Sequence, residues 1–163
     1  MKTLLIVYHS VTQATAQMAH AVARGAATEP AVTLRLLKAT AAGADDLLQA
    51  DGYVFAAPEN LAAIAGLMKD FFDRSYYGAL DQINGRSYAL VVCAGSDGSN
   101  AARQMERIAT GWRLRPVAPA MIICTRAQTR EEILAPKIVA PADLVRGEEL
   151  GAAFASGLAI GVY

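Results

Sequence analysis

The sequence predicts a single α/β domain in which a five-stranded parallel sheet lies between two layers of helices. Three observations support this fold class: short apolar runs alternate with helical patterns, the alternation is repeated five times, and the 163 residues contain no linker or internal repeat. Alternating strands and helices form parallel sheets, because each helix returns the chain to the same end of the sheet through a right-handed crossover. We therefore assign residues 1–163 to one domain.

The five predicted strands are short apolar runs. The first run is continuously apolar, which is typical of a strand buried on both faces, whereas the second alternates polar and apolar residues and fits a sheet edge. We expect Pro58 to end the third strand. The predicted strands cover residues 3–8, 32–37, 52–57, 87–93 and 119–124.

Between these strands, apolar residues recur at helical spacing. The first helix is predicted over residues 14–27, a short second helix over 44–49 and the last over 148–158, and residues 125–147 form a tail across the surface. Two apolar stripes identify the third and fourth helices. The stripes consist of Leu61, Ile64, Leu67, Met68, Phe71 and Phe72, and of Met105, Ile108 and Trp112.

Charge and hydropathy patterning exclude several function classes. Lys and Arg number 15, as do Asp and Glu, so the chain lacks the basic surface expected for binding nucleic acid or an anionic membrane. No apolar stretch reaches the roughly 18–20 residues of a membrane helix. The apolar run that follows Lys2 is too short for a signal peptide, so a cytoplasmic location is expected.

The cysteines and histidines do not predict a metal or redox site. Cys93 and Cys124 both lie in apolar strand-like runs, which favours buried free thiols over a disulfide. His9 and His20 are the only histidines, and neither has a neighbour at metal-ligand spacing. His9 is interpreted as a structural residue or a contact beside a bound ring.

The loop after the first strand predicts an anion site. Ligands of such sheets bind beyond the carboxyl ends of the strands, where the strand order reverses. Here three hydroxyl groups lie between a buried strand and the start of a helix, and the amide groups and dipole of that helix start attract a phosphate. Capping of the helix by one hydroxyl is the alternative, and it explains one of the three. The loop consists of Ser10, Val11, Thr12, Gln13, Ala14 and Thr15.

The loops after the third and fourth strands predict contacts with a planar ring. Glu59 and Asn60 offer an acceptor and an amide, and two glycines in the later loop let the backbone approach a flat group. The alternative is that both loops only cap the following helices, through Asn60 and through Asp97 or Ser99. The candidate residues are Pro58, Glu59, Asn60, Leu61 and Ala62, and Cys93, Ala94, Gly95, Ser96, Asp97 and Gly98.

The sequence lacks the motifs of three other classes of protein, and the motifs of two of these classes would lie in the same loops of this strand order. A response-regulator receiver needs paired acids after the first strand and an Asp at the end of the third, where this chain has His9, Ser10, Ala57 and Pro58. A low-molecular-weight phosphatase needs a cysteine and an arginine in the first loop. Adjacent His9 and Ser10 do not provide the geometry of a hydrolase triad.

Taken together, the loops resemble those of the flavodoxin-like group, which includes flavodoxins, FMN-dependent NAD(P)H:quinone reductases and NADPH-dependent FMN reductases. The resemblance covers nearly the whole chain. It rests on Ser10-x-Thr12-x-x-Thr15, on Ala57-Pro58-Glu59-Asn60, on Met68-Lys69-Asp70-Phe71-Phe72-Asp73-Arg74 and on Gly95-Ser96-Asp97-Gly98. It implies a three-layer fold of strand order 2-1-3-4-5, with the FMN phosphate in the first loop and the isoalloxazine ring between the other two.

The chain departs from the family pattern at two positions and in its charge. Gln13 stands where the family usually has glycine, and Leu61 stands where a ring-stacking aromatic residue often lies. Carrier flavodoxins are typically acidic, whereas this chain is neutral.

The resemblance therefore implies an FMN-binding oxidoreductase that passes electrons from NAD(P)H to a quinone, a flavin or another small acceptor. No side chain is predicted to act as an acid or base, because the flavin carries the chemistry. A flavodoxin-type electron carrier is the main alternative, and a domain that no longer holds FMN is a third. The family also implies a possible homodimer, to which Tyr76 and Tyr77 could contribute.

Overall fold

The computed structural model describes residues 1–163 and confirms the alternation of strands and helices. The strands are β1 (Lys2–Tyr8), β2 (Val32–Lys38), β3 (Gly52–Asn60), β4 (Ala63–Ile64), β5 (Ser87–Ala94), β6 (Arg115–Pro116) and β7 (Met121–Cys124). The helices are α1 (Ala14–Ala26), α2 (Ala44–Leu48), α3 (Gly66–Ala79), α4 (Ser99–Gly111), α5 (Arg130–Leu134) and α6 (Pro141–Ala159).

The sheet has the order β2-β1-β3-β5, and β6 and β7 both pair with β5 in parallel. The predicted order 2-1-3-4-5 is confirmed, with the fifth strand divided into two short pieces. Pro119 lies between the pieces and has no amide hydrogen to donate to β5. As predicted, β2 is an edge strand and β1 is buried on both faces.

The two faces of the sheet carry separate hydrophobic cores. In β1, Leu5 and Val7 pack into one core with α3 and α4, whereas Leu4 and Ile6 pack into the other with α1 and α6. This alternation follows from the two-residue period of a strand. No helix in the chain is both long enough and apolar enough to cross a membrane.

Helices α1 and α6 cross at glycine contacts. A Cβ on Gly25 would lie 1.8 Å from the Glu148 carbonyl oxygen, and one on Gly151 would lie 1.9 Å from that of Val22. The predicted start of α6 at residue 148 is too late, because the helix begins at Pro141, and proline is favoured in the first turn. The longer α6 packs against α1 and so fixes the position of the loop that precedes α1.

The predicted end of the third strand is wrong. Pro58 does not stop β3, because β1 pairs with β3 only as far as Ala56 and no neighbour on that side requires the missing amide hydrogen. The strand continues into a hairpin with β4. Leu61 and Ile64, predicted to be helical, lie in this hairpin, and α3 begins at Gly66. Asn60 therefore does not cap α3, whose N-cap is Ala65.

Candidate functional site

A cleft with a volume of about 120 Å³ opens at the carboxyl ends of β1, β3 and β5. All three loops identified from the sequence contribute to its walls. The predicted residues that line it are Ser10, Val11, Thr12, Ala14, Thr15, Pro58, Glu59, Asn60, Cys93, Ala94 and Gly95. The fold thus brings three loops that are distant in sequence to one site.

Six of the predicted residues do not line the cleft. Gln13 is exposed and lines a neighbouring groove with Gln17 and His20 instead. Leu61 is fully exposed at the tip of the β3–β4 hairpin. The residues outside the lining are Gln13, Leu61, Ala62, Ser96, Asp97 and Gly98.

The loop before α1 holds unused hydrogen-bond donors. The amide groups from Ser10 to Ala16 donate to no acceptor in the protein. The hydroxyl oxygen of Ser10 is buried and has no hydrogen-bond partner. No side chain caps α1, so the alternative that Ser10 or Thr12 is a cap is wrong. Free amides at a helix start and an unpaired buried hydroxyl are donors from which an anion can accept hydrogen bonds.

Gln13 is the N-cap residue of α1 and adopts a left-handed backbone, with a φ of 77°. Glycine adopts this conformation without strain, whereas a side chain makes it unfavourable. The backbone thus explains physically why glycine suits this position. The glutamine side chain points into solvent, so it leaves the cleft open.

Glu59 links the two ring-side loops. Its carboxylate oxygens accept hydrogen bonds from the amides of Gly98 at 3.0 Å and Ala101 at 3.2 Å. Asp97 accepts hydrogen bonds from the amide and the hydroxyl of Ser99, at 3.3 and 2.8 Å. Glu59, the acceptor predicted for a heterocycle, thus already accepts hydrogen bonds within the protein.

The segment after β7 contributes four lining residues that the sequence did not identify, and these are Thr125, Ala127, Ile133 and Lys137. The amides of Thr125 and Arg126 donate to the carbonyls of Ala94 and Gly95, at 2.8 and 2.7 Å. The Lys137 amide donates to the Thr12 carbonyl at 2.7 Å. The available signal was that Thr125 follows a parallel strand and so reaches the same edge as the other loops.

Hydrogen bonds of Lys137 and Gln17 hold the segment after β7 against the start of α1. The Lys137 ammonium group donates to the carbonyls of Glu132, Ile133 and Ala135, at 2.6 to 2.9 Å. The Gln17 amide donates to the Lys137 carbonyl at 2.7 Å, and its oxygen accepts from the Val139 amide. The predicted surface tail is therefore a wall of the cleft, and it contains α5.

Two titratable groups near the cleft are neutral at pH 7. Burial raises the pKa of the Cys93 thiol to about 11, and the neighbouring Thr15 hydroxyl offsets part of that rise. Burial lowers the pKa of His9. Both cysteines are free, and no group of three His, Cys, Asp or Glu side chains is placed to hold a metal.

Comparisons with known proteins show the family and the fold of this chain. A model of the protein family described as NADPH-dependent FMN reductase matches residues 7–128. A curated protein named flavodoxin, from Aquifex aeolicus, is 32% identical over 94 residues, which cover 58% of this chain and 49% of that protein. The matched part of the chain thus spans about half the length of this relative.

Two solved structures show the same fold over nearly their whole length. A flavodoxin from the domain Archaea has a TM-score of 0.79 at 17% identity, and the match covers 96% of this chain and 98% of that one. A WrbA-like flavodoxin from Agrobacterium tumefaciens has a TM-score of 0.72 at 21% identity and covers 99% of both chains. At these identities the likeness shows the fold alone.

Proposed function

Because this chain belongs to the NADPH-dependent FMN reductase family, we propose that it passes electrons from NAD(P)H through FMN to a quinone, a flavin or another small acceptor. When bound, FMN supplies the redox chemistry, and the protein supplies binding, orientation and electrostatics. We name no side chain as an acid or base.

The observation that carries this proposal is the set of free donors before α1. A phosphate ester there would accept hydrogen bonds from amides between Ser10 and Ala16 and from the buried Ser10 hydroxyl, none of which has a partner within the protein. Such bonds are strong because the acceptor is charged. Gln13 points out of the cleft, which argues against the alternative of a domain unable to hold FMN.

The opposite wall suits a planar ring. Asn60 offers a side-chain amide, and Gly95 has no side chain, so its backbone can approach a flat group closely. Thr125 and Ala127 complete this side of the cleft. We therefore propose that the predicted lining residues, with these two additions, hold the cofactor.

The surroundings of the cleft favour a small reactant over a charged protein partner. Val11 lines the cleft and is 64% exposed, and Leu61 and Ile138, which follow the lining residues Asn60 and Lys137 in sequence, are 101% and 94% exposed. Exposed apolar side chains therefore lie at or next to the cleft lining. Glu59 is half-buried and both of its oxygens accept amide hydrogen bonds, so Asp97 is the one exposed carboxylate that the ring-side loops present. An electron carrier that docks a basic partner needs an acidic surface around its flavin.

The proposal is tested by mixing FMN-loaded protein with NADPH or NADH without oxygen, followed by a water-soluble benzoquinone. We expect the flavin absorbance band to bleach with at least one nucleotide and to return when the quinone is added, over many turnovers. Apoprotein without FMN is the control and shows no nucleotide oxidation. Absence of bleaching with both nucleotides would contradict the proposal.

A flavodoxin-type carrier is the second candidate, because the relative from Aquifex aeolicus is named flavodoxin. It predicts that neither nucleotide reduces the FMN-loaded protein directly. Reduction would then require a separate reductase, and no turnover with quinone alone would be observed. The same absorbance experiment, repeated with and without a flavodoxin reductase, distinguishes the two candidates.

Self-association is a further part of the proposal. Tyr76 and Tyr77 are 41% and 83% exposed near the end of α3, and their rings contact each other edge to face. Exposed aromatic pairs are common in protein interfaces. Light scattering of the native protein and of a Tyr77→Ser variant would test this, with a loss of mass in the variant as the expected result.

A further inference from the structure

The β3–β4 hairpin, which brings Glu59 and Asn60 to the cleft, ends in a strained turn. Leu61 and Ala62 both have left-handed backbones, with φ of 51° and 59°, between the paired residues Asn60 and Ala63. A two-residue turn of this type favours Asn and Gly, and other residues strain it. Leu61 is fully exposed, so its own side chain does not hold the turn in place.

Hydrogen bonds from α4 hold this turn instead. The oxygen of the Gln104 side chain accepts from the Ile64 amide at 2.8 Å. The side-chain amide of Asn100 donates to the Ala62 carbonyl. Neither Asn100 nor Gln104 lines the cleft.

Glu59 supplies the reciprocal contact from the hairpin to α4. Its two oxygens accept from the amides of Gly98 and Ala101, at the start of that helix. Gly98 has a φ of 83° and forms the turn that follows Gly95 of the cleft wall. The hairpin and the loop of residues 94–98 are thereby joined through one helix terminus.

We propose that Asn100 and Gln104 are positioning residues for the flavin, and that with Glu59 they hold both ring-side loops as one preorganised unit. This inference rests on the proposed FMN site. A binding wall that is ordered before the ligand arrives does not lose further conformational entropy on binding. If the strained hairpin is released from α4, the hairpin must become ordered when FMN binds, and the entropy lost in that ordering weakens binding.

Gln104→Ala is the direct test, measured on the full-length protein loaded with FMN. We expect the dissociation constant for FMN to rise about three- to tenfold, which is the size of effect that the loss of one hydrogen bond produces. We also expect the visible circular dichroism of bound FMN to change, since the ring environment loosens. Glu106→Ala is the matched control on α4, because the Glu106 side chain is exposed and makes no hydrogen bond. Its dissociation constant for FMN should stay within about twofold of the wild-type value.

Two further variants separate positioning from simple loss of stability. Gln104→Glu retains an acceptor oxygen for the Ile64 amide and restores the wild-type dissociation constant and dichroism. In the double variant Glu59→Gln with Gln104→Ala, the increase in the dissociation constant is smaller than the product of the single increases, because both act on one unit.

The outcomes distinguish this inference from the proposed function. A Gln104→Ala protein with a lower urea midpoint, but with wild-type FMN affinity and dichroism at low temperature, would overturn the positioning role alone. No binding of FMN by the wild-type protein would overturn the proposed cofactor site and this inference with it.

Discussion

The two sides of the cleft use their polar groups in opposite ways. Before α1, the amides from Ser10 to Ala16 and the Ser10 hydroxyl have no partner within the protein. Across the cleft, each Glu59 oxygen accepts an amide hydrogen bond from the start of α4, and the Gln104 side chain of α4 accepts one from the β3–β4 hairpin. One side has backbone donors available for a ligand, whereas the other, apart from the Asn60 side chain, forms its hydrogen bonds within the protein.

Because of this difference, the two sides of the cleft should contribute differently to the stability of the free protein. An unpaired buried polar group costs roughly 1–3 kcal/mol, so the Ser10 hydroxyl lowers the stability of the free protein until an acceptor reaches it. The ring-side loops contribute to stability whether or not a ligand is present. Substitutions of the free donors before α1 should therefore weaken FMN binding without destabilising the free protein, whereas substitutions that strain the ring-side loops should destabilise the free protein.

Among substitutions in the walls of the cleft, the largest effect on stability is expected for Gly98→Ala. A Cβ there would lie 2.8 Å from the Ile122 side chain, and the φ of 83° is unfavourable for alanine. Backbone strain and overpacking together should lower the free energy of unfolding by about 2–4 kcal/mol, measured by urea denaturation. In the control Gly95→Ala, the nearest atom is the Ala127 carbonyl oxygen at 3.5 Å, and a change below about 1 kcal/mol is expected. Equal losses for both variants would contradict this account of the ring-side loop.

The next effect is a loss of folding stability at alkaline pH. It arises from the thiol of Cys93, which lines the cleft. The thiol ionises near pH 9.0 in the unfolded chain and at a pKa of about 11 in the folded protein. Stability is therefore complete below pH 9 and falls as the pH rises toward 11, because the unfolded state loses its proton first. By about pH 10.5 the loss reaches about 2 kcal/mol.

Urea denaturation of the wild type and of Cys93→Ala at pH 8 and about pH 10.5 measures the loss of stability that ionisation of the Cys93 thiol causes. The wild type should lose about 2 kcal/mol more than the variant over this range. Alkaline ionisation of Tyr53 and Tyr88 is common to both proteins and cancels in the comparison. Equal losses would show that Cys93 is not buried as described.

On the phosphate side, Ser10→Ala should weaken FMN binding without harming the free protein. Loss of a hydrogen bond to a charged group costs about 1.5–3 kcal/mol, so the dissociation constant rises at least about tenfold. The apoprotein should become more stable, by up to about 1–3 kcal/mol, because an unpaired buried hydroxyl has been removed. Fluorescence titration with FMN measures the first effect and urea denaturation the second.

Ser96→Ala provides the matched control on the ring side. Ser96 is exposed, makes no hydrogen bond and does not line the cleft, so affinity should change less than about twofold. If both serine variants bound FMN equally well, the contrast between the two sides would be lost.

The smallest effect is expected for Gln13→Gly. Relief of the left-handed strain should raise the free energy of unfolding by about 0.5–1 kcal/mol, after the greater entropy of unfolded glycine is subtracted. The FMN dissociation constant should stay within about twofold, because the side chain lies outside the cleft. Gln13→Ala removes the side chain but keeps the strain. An equal gain for the alanine variant would assign the effect to the side chain instead of the backbone.

Much of the sheet was predictable from the sequence because burial leaves a local signature. The continuous apolar run of β1 predicted a central strand, and the alternation in β2 predicted an edge. The β3–β4 hairpin was mistaken for the start of a helix because Leu61 and Ile64 have helical spacing. Its actual form depends on bonds to Asn100 and Gln104, which are distant in sequence.

The same distinction applies to the site. Strand ends and helix starts are local features, so three of the four lining segments were predicted. The segment after β7 was missed because it is held by long-range bonds, such as those of Lys137 to Thr12 and Gln17. For α6, a local signal was available in Pro141 and Asp143, which suit a first helical turn.

Titration of the apoprotein with FMN and with riboflavin, which lacks the phosphate, tests the central claim most directly. If the free donors before α1 hold the phosphate, FMN should bind at least about tenfold more tightly than riboflavin, and Ser10→Ala should reduce that ratio. Equal affinities for the two flavins, or a ratio unchanged by Ser10→Ala, would contradict the account.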